Sequence, residues 1–283
     1  MSQTLDHKIK KHFESFSKGS RKVAEYILDN RERIPFLSAS NLGKEVGVSE
    51  STVLRLVRFI GFRGYPDLQR NLEEWIKEEI KPAQKLRQIS KKYGKKDYYF
   101  KILDNDIQNL LSLRKALQQN QLEQITKTII QSRRKYIIGN RTSYSAAFLC
   151  SFFLGRILDD VILLELADPD FYNILAEANE RDIVLGFSFP RYSKYTLKTI
   201  QFLKKKKCRV IGITDRIVSP LGYISDYVIE VDSSSPTYFN SFTAVVSLIN
   251  CIAEGISLKN YQHSMNSLRN VDKVIDDFDI LIL

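Results

Sequence analysis

The sequence predicts two domains: an all-helical domain, then a three-layer α/β domain in which helices cover both faces of a five-stranded parallel sheet. Its 283 residues exceed what one hydrophobic core usually organises. Apolar residues in the first third recur at three- and four-residue steps, which is the period of an α-helix. Five short β-branched runs then begin 17 to 27 residues apart, with a helix-capable stretch in most gaps, as in a parallel α/β sheet.

The helical domain is expected to span residues 1–79. Its apolar pattern runs from Val23 to Ile60, and no strand-like alternation competes with it. The residues that follow, 80–97, contain one Pro, one Gly and seven Lys or Arg, which interrupts the pattern. We therefore predict a linker at 80–97.

The α/β domain is expected to span residues 98–258, and it begins with two amphipathic helices. The predicted strands are Tyr136–Ile138, Val161–Leu164, Ile183–Phe187, Val210–Ile213 and Tyr227–Val231. They are continuously apolar, as strands covered on both faces must be. A long last helix is expected from about Tyr238 to Leu258, and residues 259–283 should form a charged helical tail.

Positive charge is concentrated in the first third of the chain. Of the net +10, residues through Lys96 carry +9, from 21 Lys and Arg against 12 Asp and Glu. A basic domain joined to a nearly neutral one is typical of a protein whose first domain meets a polyanion. A basic surface that is only solvated is the alternative.

A helix-turn-helix is predicted at about residues 38–60, within SASNLGKEVGVSESTVLRLVRFIGFRGY. Ser38 and Ser49 are suited to cap its two short helices, and Gly47 can adopt the left-handed conformation of the turn between them. The apolar contacts that fix the helix crossing come from Leu42, Val46, Val48, Val53, Leu56 and Val57.

The exposed face of the second helix suits the major groove of double-stranded DNA, where Arg pairs with guanine and hydroxyls reach bases or phosphates. Arg55 is the predicted base-reading residue. The predicted DNA-binding residues are Lys44, Ser49, Glu50, Ser51, Thr52, Arg55, Arg58, Arg63 and Tyr65. Among these, Lys44, Arg58 and Arg63 are assigned to the DNA backbone, and Tyr65 to a phosphate hydrogen bond. A helical hairpin with a solvated basic face is the alternative.

The segment GVSESTVLRLVRFIGFRGYPDLQ closely resembles the helix-turn-helix of RpiR/MurR-type transcriptional regulators. The matching residues are Gly47, Val48, Ser49, Thr52, Val53, Arg55, Gly61, Phe62, Gly64 and Tyr65. The order of strands and helices from Tyr136 to about Gly255 is similar to the family's sugar isomerase (SIS) domain. The resemblance implies a regulator of sugar metabolism that binds DNA and a small acidic or phosphorylated effector.

Ligands of open parallel sheets bind beyond the carboxyl ends of the strands. The predicted ligand-binding residues in those loops are Asn140, Arg141, Thr142, Ser143, Asp168, Ser188, Arg191 and Ser193. The resemblance implies a sugar-phosphate loop of the form Ser-x-Ser-Gly-x-Thr after the third strand. Pro190 and Arg191 depart from that form, so we hypothesise that Arg191, with Arg141, binds the anion through its charged fork. An unphosphorylated ligand, or none, stays open.

Two other function classes are considered. A sugar-phosphate isomerase of the SIS class would need a base, for which Glu165, Glu254 and Asp168 are the obvious candidates. An adaptor for RNA or another acidic partner could use Lys204–Lys207, although cations at a helix C-terminus are usually solvated. We predict a regulator, with no catalytic residues, cofactor or metal site.

Assembly and location follow from the same reasoning. One recognition helix contacts too few bases for specific control, so we expect a homodimer or homotetramer on a palindromic operator. The N-terminus lacks a signal-peptide core, and no apolar stretch approaches the roughly 20 residues that span a bilayer. The expected location is therefore the cytoplasm, without membrane contact. The widely spaced Cys150, Cys208 and Cys251 are expected to be buried, reduced thiols.

Overall fold

The chain forms two compact units, Met1–Lys85 and Leu86–Leu283. The computed structural model describes residues 5–31, 33–79, 83, 86–87, 98–217 and 219–279. Nearly all of the predicted linker, and residues 280–283 of the predicted tail, lie outside this set. No helix in the described part of the chain is long and apolar enough to cross a membrane.

The first unit is all-helical, as predicted. Its helices are α1 (Leu5–His12), α2 (Lys18–Asp29), α3 (Ala39–Val46), α4 (Glu50–Phe59) and α5 (Tyr65–Glu79), with 3-10 turns at Phe13–Ser15 and Ile34–Phe36. Each long helix is amphipathic and turns its apolar stripe toward one shared core. Each of α2 to α5 contributes one fully buried side chain to this core: Ile27, Leu42, Leu56 and Leu68. Each of these residues is at most 1% exposed.

The second unit is a three-layer α/β domain, and the prediction of a five-stranded parallel sheet is confirmed. Its helices are α6 (Tyr98–Ala116), α7 (Gln119–Gln131), α8 (Ser143–Gly155), α9 (Phe171–Ala176), α10 (Lys194–Lys205), α11 (Thr243–Lys259) and α12 (Tyr261–Asp277). Its strands are β1 (Lys135–Gly139), β2 (Val161–Leu163), β3 (Ile183–Phe187), β4 (Arg209–Thr214) and β5 (Tyr227–Glu230). The strand order is β2-β1-β3-β4-β5, and every pairing is parallel.

Alternate residues of each strand enter two different cores. Ile137 and Leu185 pack with α7, α8 and α11 on one face, whereas Tyr136 and Val184 pack with α9 and α10 on the other. The central strands β1 and β3 are buried throughout. The edge strands β2 and β5 are only partly buried, contrary to the expectation for all five, because each has a neighbour on one side only.

Two further expectations are corrected. The last long helix begins at Thr243 and not near Tyr238, because side-chain hydrogen bonds, such as that from the Ser234 amide to Asp232, hold residues 232–242 in a loop. Cys150 and Cys208 are buried thiols, but Cys251 lies on the exposed side of α11.

At the amino end of the sheet, an ion pair joins Arg133, just before β1, to Asp182, just before β3. The Asp182 carboxylate has no exposed surface and accepts two hydrogen bonds from the Arg133 guanidinium, both at 2.8 Å. The backbone amides of Asn179 and Arg134 also donate to it. Burial by itself would raise the pKa of Asp182, but these hydrogen bonds lower it below its ordinary value overall.

We expect Asp182→Asn to lower the free energy of unfolding by about 2–3 kcal/mol, since an amide cannot accept all of these hydrogen bonds. Urea unfolding at neutral pH measures the loss. Glu177→Gln is the matched control, because the Glu177 carboxylate is exposed and its ion pair with Arg134 should contribute less than about 1 kcal/mol. Equal losses in both variants would contradict the assignment.

The same pair predicts a pH dependence. Because the pKa of Asp182 is lowered on folding, its contribution is complete above the unfolded value of about 3.9 and is lost as pH falls through the folded value. The stability difference between wild type and Asp182→Asn should therefore shrink below about pH 4 and stay constant above pH 5. A difference that grew as pH fell would contradict the sign.

Candidate functional site

The predicted helix-turn-helix is formed by α3 and α4. Ser38 accepts a hydrogen bond from the Asn41 amide at 3.1 Å, and Ser49 accepts one from the Thr52 amide at 3.3 Å, so both helices are capped. Gly47 ends α3 with φ of 73°, a left-handed conformation in which a side chain would be strained. Only three residues separate the end of α3 from the start of α4.

The two faces of α4 differ completely. Val53, Leu56 and Val57 are buried in the core of the first unit. Ser51, Arg55 and Arg58 are exposed on the other side of the helix. The helix therefore presents hydroxyl and guanidinium groups to solvent from a fixed support, which is what a groove-reading helix requires.

The remaining predicted DNA-binding residues are placed around this face. Lys44 near the end of α3 and Arg63 before α5 are exposed, as are Ser49 and Glu50 at the start of α4. Thr52 is half-buried, and its hydroxyl lies 2.9 Å from the Ser49 hydroxyl. Ser49 and Thr52 therefore stabilise the start of α4 as well as lying beside its exposed face.

The expectation for Tyr65 is corrected. Its side chain is 4% exposed, and its hydroxyl lies 3.5 Å from the carbonyl oxygen of Ile34. A ring buried in the core cannot reach a phosphate, so Tyr65 fixes the start of α5 against the 3-10 turn at Ile34–Phe36. The resemblance motif alone does not distinguish this packing role from a contact with DNA.

Sequence reasoning also missed a cluster of polar side chains that connects α2 to α3 through hydrogen bonds. The Tyr26 hydroxyl donates to the Glu45 carboxylate, which also pairs with Arg33 at 3.1 Å. Burial, followed by the hydrogen bond to Glu45, raises the pKa of Tyr26 to about 12, so the hydroxyl stays a donor at neutral pH. These three residues are far apart in sequence, and no local pattern marks them as partners.

The candidate ligand site lies where β1 and β3 pair. Gly139, the last residue of β1, is opposite Phe187, the last residue of β3, so the loops 140–143 and 188–193 begin side by side. The helix after β1 covers one face of the sheet, and the helix after β3 covers the other. This is the topological switch point, at which open α/β sheets leave a crevice for ligands.

The loop after β1 approaches the sheet closely. A Cβ at Gly139 would lie 2.4 Å from the Ser143 carbonyl oxygen, so only glycine allows the first turn of α8 to sit there. Ser143 is buried in that turn, Asn140 is half-buried, and Arg141 and Thr142 are exposed. Arg141 has φ of 58°, in the left-handed region.

The loop after β3 contains an unusual buried hydroxyl. Ser188 is 2% exposed, and its Oγ has no hydrogen-bond partner among the described residues. The same holds for Oγ1 of Thr196 in the first turn of α10, a helix that Ser193 caps through the Thr196 amide. Buried hydroxyls are normally paired, so each of these two atoms has an unused capacity to bond a polar group.

A polar network holds this loop in place. The Thr214 hydroxyl donates to the Ser188 carbonyl oxygen at 2.7 Å, and the Tyr192 hydroxyl donates to Asp215 at 2.8 Å. On its other side, Phe189 contacts the ring of Phe242. Thr214 and Asp215 were visible in the sequence as polar residues after the fourth strand, but their role as supports was not.

Asp168 lies in the loop after the edge strand β2. Its carboxylate is half-buried and accepts a hydrogen bond from the Asp170 amide at 2.9 Å. This is a turn-forming contact before α9. Its backbone amide donates to Glu165 and its carbonyl accepts from Phe171, so the hydrogen bonds described for Asp168 lie within this turn.

Comparison with known proteins bears on both units. Residues 3–79 match the helix-turn-helix domain of the rpiR family, and residues 128–254 match the SIS domain. The first unit therefore has a helix-turn-helix domain of the rpiR family, and the second unit has a SIS domain. The two matches fall in the order that the sequence predicted.

The chain aligns with transcriptional regulators over nearly the whole length of both proteins. It is 24% identical to the HTH-type transcriptional regulator HexR of Pseudomonas aeruginosa, covering 95% of this chain and 94% of HexR. It is 22% identical to HexR of Escherichia coli, over 95% and 93% of the two chains. The Vibrio vulnificus NanR protein complexed with ManNAc-6P shares the fold, with a TM-score of 0.68, 20% identity and coverage of 97% and 99%.

The relatives named above are transcriptional regulators, which favours a regulator over the isomerase alternative. The structure describes the surroundings of two of the candidate bases. Glu165 accepts a hydrogen bond from the Tyr144 hydroxyl, an interaction that raises the pKa of Tyr144, and Glu254 is exposed on α11. The absence of catalytic residues therefore stays a prediction.

The unpartnered Ser188 hydroxyl gives a test of this candidate ligand site. Ser188→Ala should change the free energy of unfolding of the free protein by less than about 0.5 kcal/mol, because it breaks no hydrogen bond. Thr214→Val removes a buried hydroxyl that is bonded, and it should cost about 1–2 kcal/mol. Urea unfolding measures both, and a loss above 1 kcal/mol in Ser188→Ala would show that its hydroxyl supports the fold.

Proposed function

We propose that the protein binds a palindromic operator as a homodimer or homotetramer, and that a small phosphorylated or acidic metabolite controls this binding. The observation that carries the proposal is the capped helix α4, which has one face buried and a hydroxyl- and arginine-bearing face exposed. Residues 1–79 would read DNA, and residues 98–258 would sense the metabolite and oligomerise. A cytoplasmic location follows as a prediction from this role.

In this proposal the N-terminal half of α4 enters the major groove. Arg55 lies on its exposed face and can donate two hydrogen bonds to the O6 and N7 atoms of a guanine. Ser51 lies one turn earlier on the same face, and Lys44, Arg58 and Arg63 surround it with positive charge that suits phosphates. The affinity should fall steeply as salt rises.

Arg55→Ala should weaken operator binding by about 1–3 kcal/mol, or roughly fivefold to 150-fold, because a bidentate base contact is lost. Arg55→Lys is the matched variant, since it keeps the charge and loses the fork. If Arg55 reads a base, both variants lose discrimination between operator and mutated operator in a gel-shift titration. If Arg55→Lys kept full discrimination, Arg55 would be a phosphate contact only.

The proposed ligand is a sugar phosphate or a similar small anion between the loops after β1 and β3. The buried hydroxyls of Ser188 and Thr196 offer unused hydrogen bonds, while Arg141 and Arg191 are exposed at the same edge and supply charge. Asn140, Thr142, Ser143 and Ser193 would complete the polar lining. The bound ManNAc-6P in the NanR structure supports this ligand class, although only the fold connects the two proteins.

Arg191 occupies the position where the family has glycine, and its backbone keeps φ of 74°. The loop therefore retains the glycine-like backbone and gains a guanidinium group, which can pair with a phosphate through two hydrogen bonds. Pro190, one residue earlier, removes an amide donor that the usual loop would supply. We propose that Arg191 replaces that lost donor.

Thermal-shift titrations with a panel of sugar phosphates should raise the Tm of the wild type. Arg191→Ala should reduce the response at least tenfold in ligand concentration, since a charge-assisted pair contributes about 1.5–3 kcal/mol. Arg209→Ala is the matched control, because Arg209 is exposed at the opposite, amino end of the sheet. Equal responses from all three proteins would overturn the role of Arg191.

A further inference from the structure

Helix α6 is fixed to its own unit by one side only. Leu110, Leu113 and Leu117 pack against the sheet core. The Asp106 carboxylate accepts hydrogen bonds from the hydroxyls of Ser241 and Thr243, at 2.5 and 2.8 Å. These contacts determine which way the helix faces and leave its opposite flank toward solvent.

That exposed flank is apolar. Phe100, Leu103, Ile107 and Leu111 recur at steps of three, four and four residues, so they form one stripe along α6. Between 52% and 70% of each residue is exposed. Single exposed apolar residues are ordinary, but a stripe of four over three helical turns is typical of an interface.

We infer that this stripe, hereafter the α6 stripe, binds the α6 stripe of a second copy in antiparallel orientation, with a twofold axis at Ile107. The inference rests on the proposed homo-oligomer and assigns its contact surface. In this register Ile107 faces its own copy, and Leu103 faces Leu111 of the partner. Each large apolar side chain of the stripe thereby gains a neighbour.

The charges on α6 favour this orientation. Arg114 is close to the C-terminal end of the stripe, and Asp104 is close to its N-terminal end. Antiparallel pairing places Arg114 opposite the Phe100 ring and within one helical turn of Asp104 of the second copy, which suits cation–π and ionic contacts. Parallel pairing would place Arg114 against Arg114 and align the helix dipoles unfavourably.

The register also fixes where the chains enter the paired helices. Each chain enters α6 at Tyr98, nine residues before Ile107, so a rise of 1.5 Å per residue separates the two entry points by about 27 Å.

A disulfide at the proposed axis tests the register in the full-length protein. Helices that pack 8–10 Å apart bring facing Cα atoms within the range of about 4.4–6.8 Å that a disulfide needs. In a Cys251→Ser background, Ile107→Cys should form a covalent dimer on mild oxidation, seen on a non-reducing gel. Leu103→Cys alone should not, whereas Leu103→Cys with Leu111→Cys should.

The crosslinks separate the possible outcomes. A parallel pair would crosslink through Leu103→Cys alone, and another interface would give no dimer with Ile107→Cys; either result overturns the inference. The Cys251→Ser background removes the exposed native thiol. Wild type that fails to bind DNA while Ile107→Cys still crosslinks would refute the DNA-reading proposal and leave the α6 stripe intact.

A charge substitution tests the same surface without oxidation. Ile107→Glu should weaken self-association at least tenfold in sedimentation experiments, because two carboxylates would meet at the axis. Gln108→Glu, an equal change on an adjacent exposed residue outside the stripe, should leave it unchanged. Unfolding curves confirm that both variants fold, and equal self-association of Ile107→Glu and wild type would overturn the inference.

Discussion

The parallel pairing of β1 with β3 is the constraint on which the second unit depends. It places the ends of two central, fully buried strands side by side, although they are separated along the chain by α8, β2 and α9. The helices that follow these strands go to opposite faces of the sheet. The loops that lead to them therefore diverge, and a crevice is left between the loops. The loops 140–143 and 188–193 of the candidate ligand site begin at these two strand ends.

The first unit also holds its candidate functional surface in a fixed position, but with fewer elements. Two serine caps and one left-handed glycine are enough to hold α3 and α4 in a fixed crossing, since the apolar side chains between them leave no alternative packing. The buried contacts of α4 then determine which of its faces is exposed. Whatever the buried face does not use is presented to solvent, so the groove-reading surface depends on the core behind it.

Periodicity was sufficient to predict the helical unit, because burial imposes regular spacing on apolar residues. Continuous β-branched runs predicted the five strands, and the left-handed freedom of glycine predicted the turn at Gly47. Periodicity was insufficient for Tyr65, since an aromatic residue beside a basic helix has the same sequence signal whether it packs or binds. The start of α11 was misplaced for a related reason. Tyr238–Phe242 are compatible with a helix, and only hydrogen bonds within the loop favour another conformation.

Long-range polar contacts lay beyond the reach of sequence. The partners of Asp106 are more than 130 residues away along the chain, and the unpaired state of the Ser188 hydroxyl depends on every neighbour that surrounds it. Both features require the packed molecule, because hydrogen-bond satisfaction is a property of an environment and not of a residue type. The α6 stripe was visible as an amphipathic pattern, but which of its faces is covered was not.

The positive φ of Arg191 has an evolutionary consequence. A left-handed backbone costs a residue other than glycine about 1–2 kcal/mol, which is modest beside the 5–15 kcal/mol that stabilises a typical domain. The shape of the loop and the chemistry of its side chain can therefore be inherited separately. A charged residue can replace glycine here, and so change the chemistry of the loop surface, while the path of the main chain stays the same.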